Sequence, residues 1–179
     1  SAGGKVVHFD RVELRIIPDS ATAAAALQTG EIDWWDEMQP DVVPLIRRGR
    51  NTKVFIRNPL GTFLTLRFNC LHPPFDKAAV RRAVLLGLNQ KDFALAVMGE
   101  DPELSEVCPS FFTCGTPYGA LDPIASFNAP LRTANIEAAK AALAQSGYGG
   151  EKVLIIQASE IANNKAMTTV AYDVMKRMG

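Results

Sequence analysis

Short β-prone runs alternate with amphipathic helical stretches along this chain, and that alternation constrains its fold more than any other feature. Val12, Leu14 and Ile16 share one face of a strand expected over 11–17, which Pro18-Asp19 stops. Asp19 or Ser20 is placed to cap an Ala-rich helix through Leu27, and Gly30 is its expected terminator. A short β-prone run at 32–35 precedes Pro40, which opens a helix through Val42, Val43, Leu45 and Ile46. A further strand is expected at 53–57. Strand, helix, strand, helix, strand is the order of an α/β layer.

The same grammar continues. Over 62–68, Leu64, Leu66 and Phe68 alternate with Thr65 and Arg67. The stretch 69–76 holds Pro73-Pro74 and reads as a loop, with Asp76 expected to cap a helix whose apolar stripe is Val80, Ala83, Val84, Gly87 and Leu88. Asn89 is placed to cap a second helix, which Gly99 ends. From 100 to 134 the chain is rich in Pro, Gly, Ser and Asn, and an irregular stretch of that length is usually functional or laid along a surface. A helix over 136–145, a buried strand over 153–156 and a terminal helix carrying Met167, Val170, Ala171, Val174, Met175 and Met178 complete the pattern. The chain reads as cut at both ends, with Ser1-Ala2-Gly3-Gly4 resembling a tag scar or linker.

Composition narrows the function. Basic and acidic residues number 19 each, so the basic excess of a nucleic-acid binder is missing. The cluster Arg47-Arg48-Gly49-Arg50 lies at a helix end, where cations complement the helix dipole. No apolar run approaches the ~20 residues that span a bilayer. The three cysteines, Cys70, Cys108 and Cys114, fit neither a dense disulfide scaffold nor paired zinc ligands, and neither His8 nor His72 belongs to a metal-ligand pair. No phosphate-cradling or dinucleotide-binding glycine motif occurs, so no cofactor and no metal are expected. The sharpest enzymatic reading is a thiol-dependent hydrolase using Cys108 or Cys114 with His72 as base; two half-buried loop thiols account for the same residues. Cys108 and Cys114 can also join in a disulfide, leaving Cys70 free, if their Cα atoms lie within about 7 Å.

The acidic twin-tryptophan segment Asp33-Trp34-Trp35-Asp36-Glu37-Met38 stands out. Adjacent side chains of an extended segment point to opposite faces, so one Trp can enter a core while the other meets a ligand or solvent. Burying Asp36 and Glu37 unpaired would cost several kcal/mol, which argues for an open loop. Arg67, on the polar side of its strand, points away from the core its neighbours enter.

The order of segments resembles the extracellular solute-binding proteins of family 5, the dipeptide-, oligopeptide- and nickel-type receptors of ABC importers. The matching pieces are the strand ending in Pro18-Asp19, the run Ala26-Leu27-Gln28-Thr29-Gly30-Glu31-Ile32-Asp33, and Phe68-Asn69 with Pro73-Pro74-Phe75-Asp76. Val80-Arg81-Arg82-Ala83-Val84, Asn89-Gln90-Lys91-Asp92 and Ala139-Lys140-Ala141-Ala142-Leu143 through Gly147-Tyr148 extend the match. The resemblance implies a fragment of a two-lobed, type II-like α/β periplasmic binding protein: 1–62 from the first lobe, 63–179 a crossing segment and the first part of the second. It implies a monomeric, non-enzymatic receptor in the periplasm that takes a peptide or other small solute to the membrane permease of an ABC importer. Carried over by position, Trp35, Asp36, Glu37 and Met38 border the ligand cleft from the first lobe. Arg67 and Asn69 face it from the hinge, and Gly115 and Thr116, in the loop Cys114-Gly115-Thr116-Pro117, border it from the second lobe. Asn89-Gln90 stands where an Asp-Arg pair is common in the family, which leaves the solute class open.

Overall fold

The computed structural model describes residues 4, 6, 8–62, 64–108, 110, 112–119 and 134–179. Residues 1–3, Phe63 of the expected fourth strand and 120–133 of the expected long loop lie outside the described residues. The chain divides into two compact units, residues 1–54 and 55–179.

In the first unit, α1 (Ser20–Thr29) begins where Asp19 leaves the helix path and turns its carboxylate back onto Thr22, accepting from the backbone N–H at 2.7 Å and the hydroxyl at 2.6 Å. Asp19, and not Ser20, is therefore the cap. At the other end Gly30 takes φ 76°, the left-handed conformation that lets its N–H reach the Leu27 carbonyl while the Glu31 N–H reaches that of Ala26 at 2.9 Å. A 3-10 turn at Pro40–Val42 runs into the short α2 (Val43–Arg47). Ala23, Ala24 and Ala26 are buried in this unit, as are Val43 and Ile46, and α1 packs on α2. Thr52 then ties the following chain back, its hydroxyl donating to the Ile46 carbonyl at 2.7 Å.

The second unit is built on α3 (Ala78–Gly87), α4 (Gln90–Met98), α5 (Ile136–Gln145) and α6 (Ala162–Met178). α3 packs against α5 and α6, and α4 against α6, around a core of Ala83, Val84, Ala139, Val174 and Met178. The apolar stripe of α3 is buried at Val80, Ala83, Val84 and Gly87. At Gly87 a Cβ would lie 2.9 Å from the Met178 sulfur and 3.2 Å from Val174 Cγ1, so a hydrogen there is what lets α6 close on α3. Asn89 caps α4 and Asn135 caps α5, each through its side-chain oxygen. Asp76 does not cap α3 as expected: the helix starts one residue later, with Lys77 at the cap position and the Asp76 carboxylate accepting from the Lys77 N–H at 2.9 Å. Lys77 in turn donates to the Gly147 carbonyl beyond α5 and faces Glu151 at 3.6 Å. The Pro73-Pro74 bond is cis.

The expected strands are where structure and expectation part. No described residue lies in a β-strand; 11–17, 32–35, 53–57, the described part of 62–68 and 153–156 are irregular chain. The α/β character expected of the chain is thus not seen among the described residues. A helix satisfies its own backbone within one segment, whereas a strand exists only when a second strand supplies the other half of its ladder. Val12, Leu14 and Ile16 accordingly lie exposed. The run at 153–156, expected to be buried, keeps only Val153 and Ile155 half-buried, while Leu154 and Ile156 are 77% and 90% exposed. No helix among the described residues is long and apolar enough to cross a membrane.

Candidate functional site

An open cleft of ≈ 330 Å³ lies within the second unit. The segment 65–69 and the segment 153–156 line it, together with Asn164, Met167, Thr168 and Met175 of α6. The period of two read from the sequence is what places Arg67 and Asn69 there. Leu66 and Phe68 are half-buried, and Phe68 packs on Phe75 with ring centroids 4.5 Å apart, anchoring the segment to the helical core. The intervening Thr65, Arg67 and Asn69 are left exposed. Asn69 shapes the exit from the segment, its side-chain oxygen accepting from the Leu71 N–H at 3.2 Å. No hydrogen bond or ion pair engages the Arg67 guanidinium among the described residues, so its five N–H donors remain available to an anionic ligand group.

The remaining predicted residues fall into two groups. Trp35, Asp36, Glu37 and Met38 belong to the first unit, where Trp35 is half-buried and Trp34 is 58% exposed, the opposed orientation expected of neighbours. Asp36 and Glu37 are exposed and Met38 is half-buried. The loop turns sharply at Glu37, which takes φ 54°, an uncommon value for a residue with a Cβ, while its N–H donates to the Asp36 carboxylate at 3.1 Å. Gly115 and Thr116 sit in the second unit but do not line the cleft at Arg67. They occupy a turn in which the Thr116 hydroxyl donates to the Thr113 carbonyl at 2.7 Å and the Gly119 N–H donates to the Thr116 carbonyl at 3.0 Å.

That turn follows directly on a disulfide between Cys108 and Cys114, whose Cα atoms are 5.8 Å apart, inside the reach such a bridge requires. Cys70 is the free cysteine, exposed. The bridge overturns the hydrolase reading: a nucleophilic cysteine needs a thiolate, and both sulfurs are committed to each other. Among the described residues no group of three or more His, Cys, Asp or Glu is placed to hold a metal ion.

Sequence reasoning missed Asn164 and Thr168 as cleft residues. They lie on a half-buried side of α6 with Met167, where the Thr168 hydroxyl donates to the Asn164 carbonyl at 2.8 Å and accepts from the Gln157 amide at 2.5 Å. The i, i+3, i+4 spacing of Asn164, Met167 and Thr168 was a visible signal for a shared face.

The family described as "Bacterial extracellular solute-binding proteins, family 5 Middle" matches residues 2–179. A protein of Sinorhizobium fredii (strain NBRC 101917 / NGR234), named "Probable peptide ABC transporter periplasmic-binding protein y4tO", is 34% identical over 180 residues. That alignment takes in 99% of this chain and 33% of the relative, so the chain spans about one third of the length of the protein it matches.

Proposed function

Because the chain belongs to the bacterial extracellular solute-binding proteins, family 5, we propose that it is part of a periplasmic receptor that captures peptides or similar small solutes and delivers them to the permease of an ABC importer. The family match across residues 2–179 carries this reading. The name of the S. fredii relative favours a peptide among the candidate solutes. Nothing is transformed in such a receptor: it binds, closes and releases, and works as a monomer.

In this reading the whole receptor has two α/β lobes of the type II kind, with residues 1–62 in the first lobe and 63–179 forming a crossing segment and part of the second. Trp35, Asp36, Glu37 and Met38 border the ligand from the first lobe, Arg67 and Asn69 from the crossing segment, and Gly115 and Thr116 from the second lobe. The exposed Arg67 guanidinium, on a segment anchored to the core through Phe68, suits a ligand carboxylate, which it can hold through two parallel N–H bonds. Polar groups set beside apolar walls are the usual composition of a small-molecule site.

The test is to purify the full-length receptor, identify co-purifying small molecules by mass spectrometry, and titrate it with a peptide library by calorimetry. Saturable binding with every peptide recovered intact is the expected outcome. Cleaved peptide, or no binding across the library, would count against the reading.

A further inference from the structure

The two ends of α4 are held by different means. Near its C-terminal end Val97 is buried. At its first turn the Gln90 amide reaches across to the Cys108 carbonyl at 2.9 Å. One turn on from Gln90, Phe93 is half-buried and lines the cleft at Arg67. α4 also packs on α6, which brings Asn164, Met167 and Thr168 to the same cleft. The cleft wall at Phe93 thus stands on the turn that Gln90 ties down.

The acceptor in that tie is half of the disulfide: Cys108 gives its carbonyl to Gln90 and its sulfur to Cys114. The described residues from 108 to 119 form no helix or strand, so regular backbone bonds do not hold the Cys108 carbonyl in place. What holds it is the bridge, whose far half is set in a tight fold-back. At Gly119 a Cβ would lie 2.7 Å from the Thr113 carbonyl oxygen and 3.3 Å from the Cys114 Cα. Both bridged cysteines are half-buried, so a small dithiol has access to them.

We infer that the Cys108–Cys114 bridge is a redox-sensitive support of the cleft. Closed, it keeps the Cys108 carbonyl where Gln90 fixes the first turn of α4 and seats Phe93; opened, it frees that turn and weakens ligand binding. Gln90 is then a positioning residue. Opening takes a dithiol: one thiolate attacks a bridge sulfur, the S–S bond breaks and the departing sulfur takes up a proton. The second thiolate resolves the mixed disulfide, so two electrons pass to Cys108 and Cys114 and the dithiol leaves as a disulfide. This regulation presupposes the cleft as the solute site proposed above.

The test uses the full-length receptor in a Cys70→Ser background, with a fluorinated phenylalanine at position 93 and a short-peptide pool as probe. Fluorine NMR reads the seat of the ring without peptide, and calorimetry reads affinity. Opening the bridge, by dithiol or by Cys108→Ser with Cys114→Ser, should shift the ring signal. It should also weaken peptide binding about fivefold, the factor that one hydrogen bond is worth. Gln90→Met with the bridge closed should do the same. Combining the two should add little, because both break one link. An unmoved ring signal, unchanged affinity, or two effects that add would each overturn the inference. Where the opened protein loses its helix signal, Gln90→Met alone decides, and an unmoved ring signal there overturns the inference. Absence of peptide binding in the parent protein would count against the proposed function, while the ring signal still judges the support.

Discussion

Gln90 donates from its side-chain amide to the carbonyl oxygen of Cys108 at 2.9 Å, which ties the first turn of α4 to the start of the disulfide loop. The other half of the same amide, Oε1, is buried without a hydrogen-bond partner among the described residues. Replacing Gln90 by Ala strands the Cys108 carbonyl and should destabilise the full-length receptor by about 1 kcal/mol in denaturant unfolding. Replacing it by Met keeps the volume and removes the unpartnered oxygen, so its cost should be the smaller of the two. No measurable loss for either variant would show that the bond to Cys108 does not govern this contact.

The disulfide predicts a thiol count. Unfolded without reductant, the chain should take up alkylating reagent at Cys70 alone, and at all three cysteines after reduction, read as mass increments. Substituting Cys108 and Cys114 together by Ser should lower stability by about 2 kcal/mol, the loop-closure value for so short a bridge. Two or three alkylated residues before reduction would contradict the pairing.

Gly87 sits where α3 meets α6. Ala is the better helix former by about 1 kcal/mol, but its Cβ would press on Val174 and the Met178 sulfur, and overpacking of this kind costs about 1–3 kcal/mol. Gly87→Ala should therefore be neutral to destabilising in thermal melts, and shortening Met178 in the same protein should recover part of any loss. A clear gain in melting temperature would mean that the two helices separate freely.

Acid should loosen the start of α1. The hydrogen bonds from the Thr22 hydroxyl and then its backbone N–H hold the Asp19 carboxyl below its ordinary value of 3.8. A depressed folded-state value means that the stabilisation is present in full above the unfolded-state value and is lost as pH falls through the folded one. Asp19→Asn keeps an acceptor at the cap but cannot titrate. Helix signal from the parent protein should fall more steeply below pH ~4 than that from the Asp19→Asn variant. Identical acid titrations would remove the carboxylate from the account.

Arg67→Met separates a ligand role from a structural one. The side chain is exposed and engages no described neighbour, so the melting temperature of the full-length receptor should hardly move. Ligand affinity should fall tenfold or more, roughly 1.4 kcal/mol. Unchanged affinity would remove Arg67 from the site.

What could be read in advance divides along the range of the forces involved. The extent of α5 at Ile136–Gln145, the Asn89 cap and the Gly30 stop were all legible, because a helix closes its hydrogen bonds within a few residues and its ends are set by the side chains next to them. The displaced start of α3 at Asp76 is the small error that local reasoning makes at such an end. Arg67 and Asn69 were legible as exposed residues because alternation with Leu66 and Phe68 is also local. Asn164 and Thr168 were not tied to them, since the meeting of α6 with the 65–69 segment joins residues about a hundred positions apart, and nothing in either stretch names the other. The cysteines show the same limit: their spacing allowed a bridge, and only the folded loop, by bringing their Cα atoms to 5.8 Å, decided it. The β-prone runs remain the sharpest case. Sequence alone determined which of their residues alternate, but a strand needs a second strand, and tertiary structure places none beside them among the described residues.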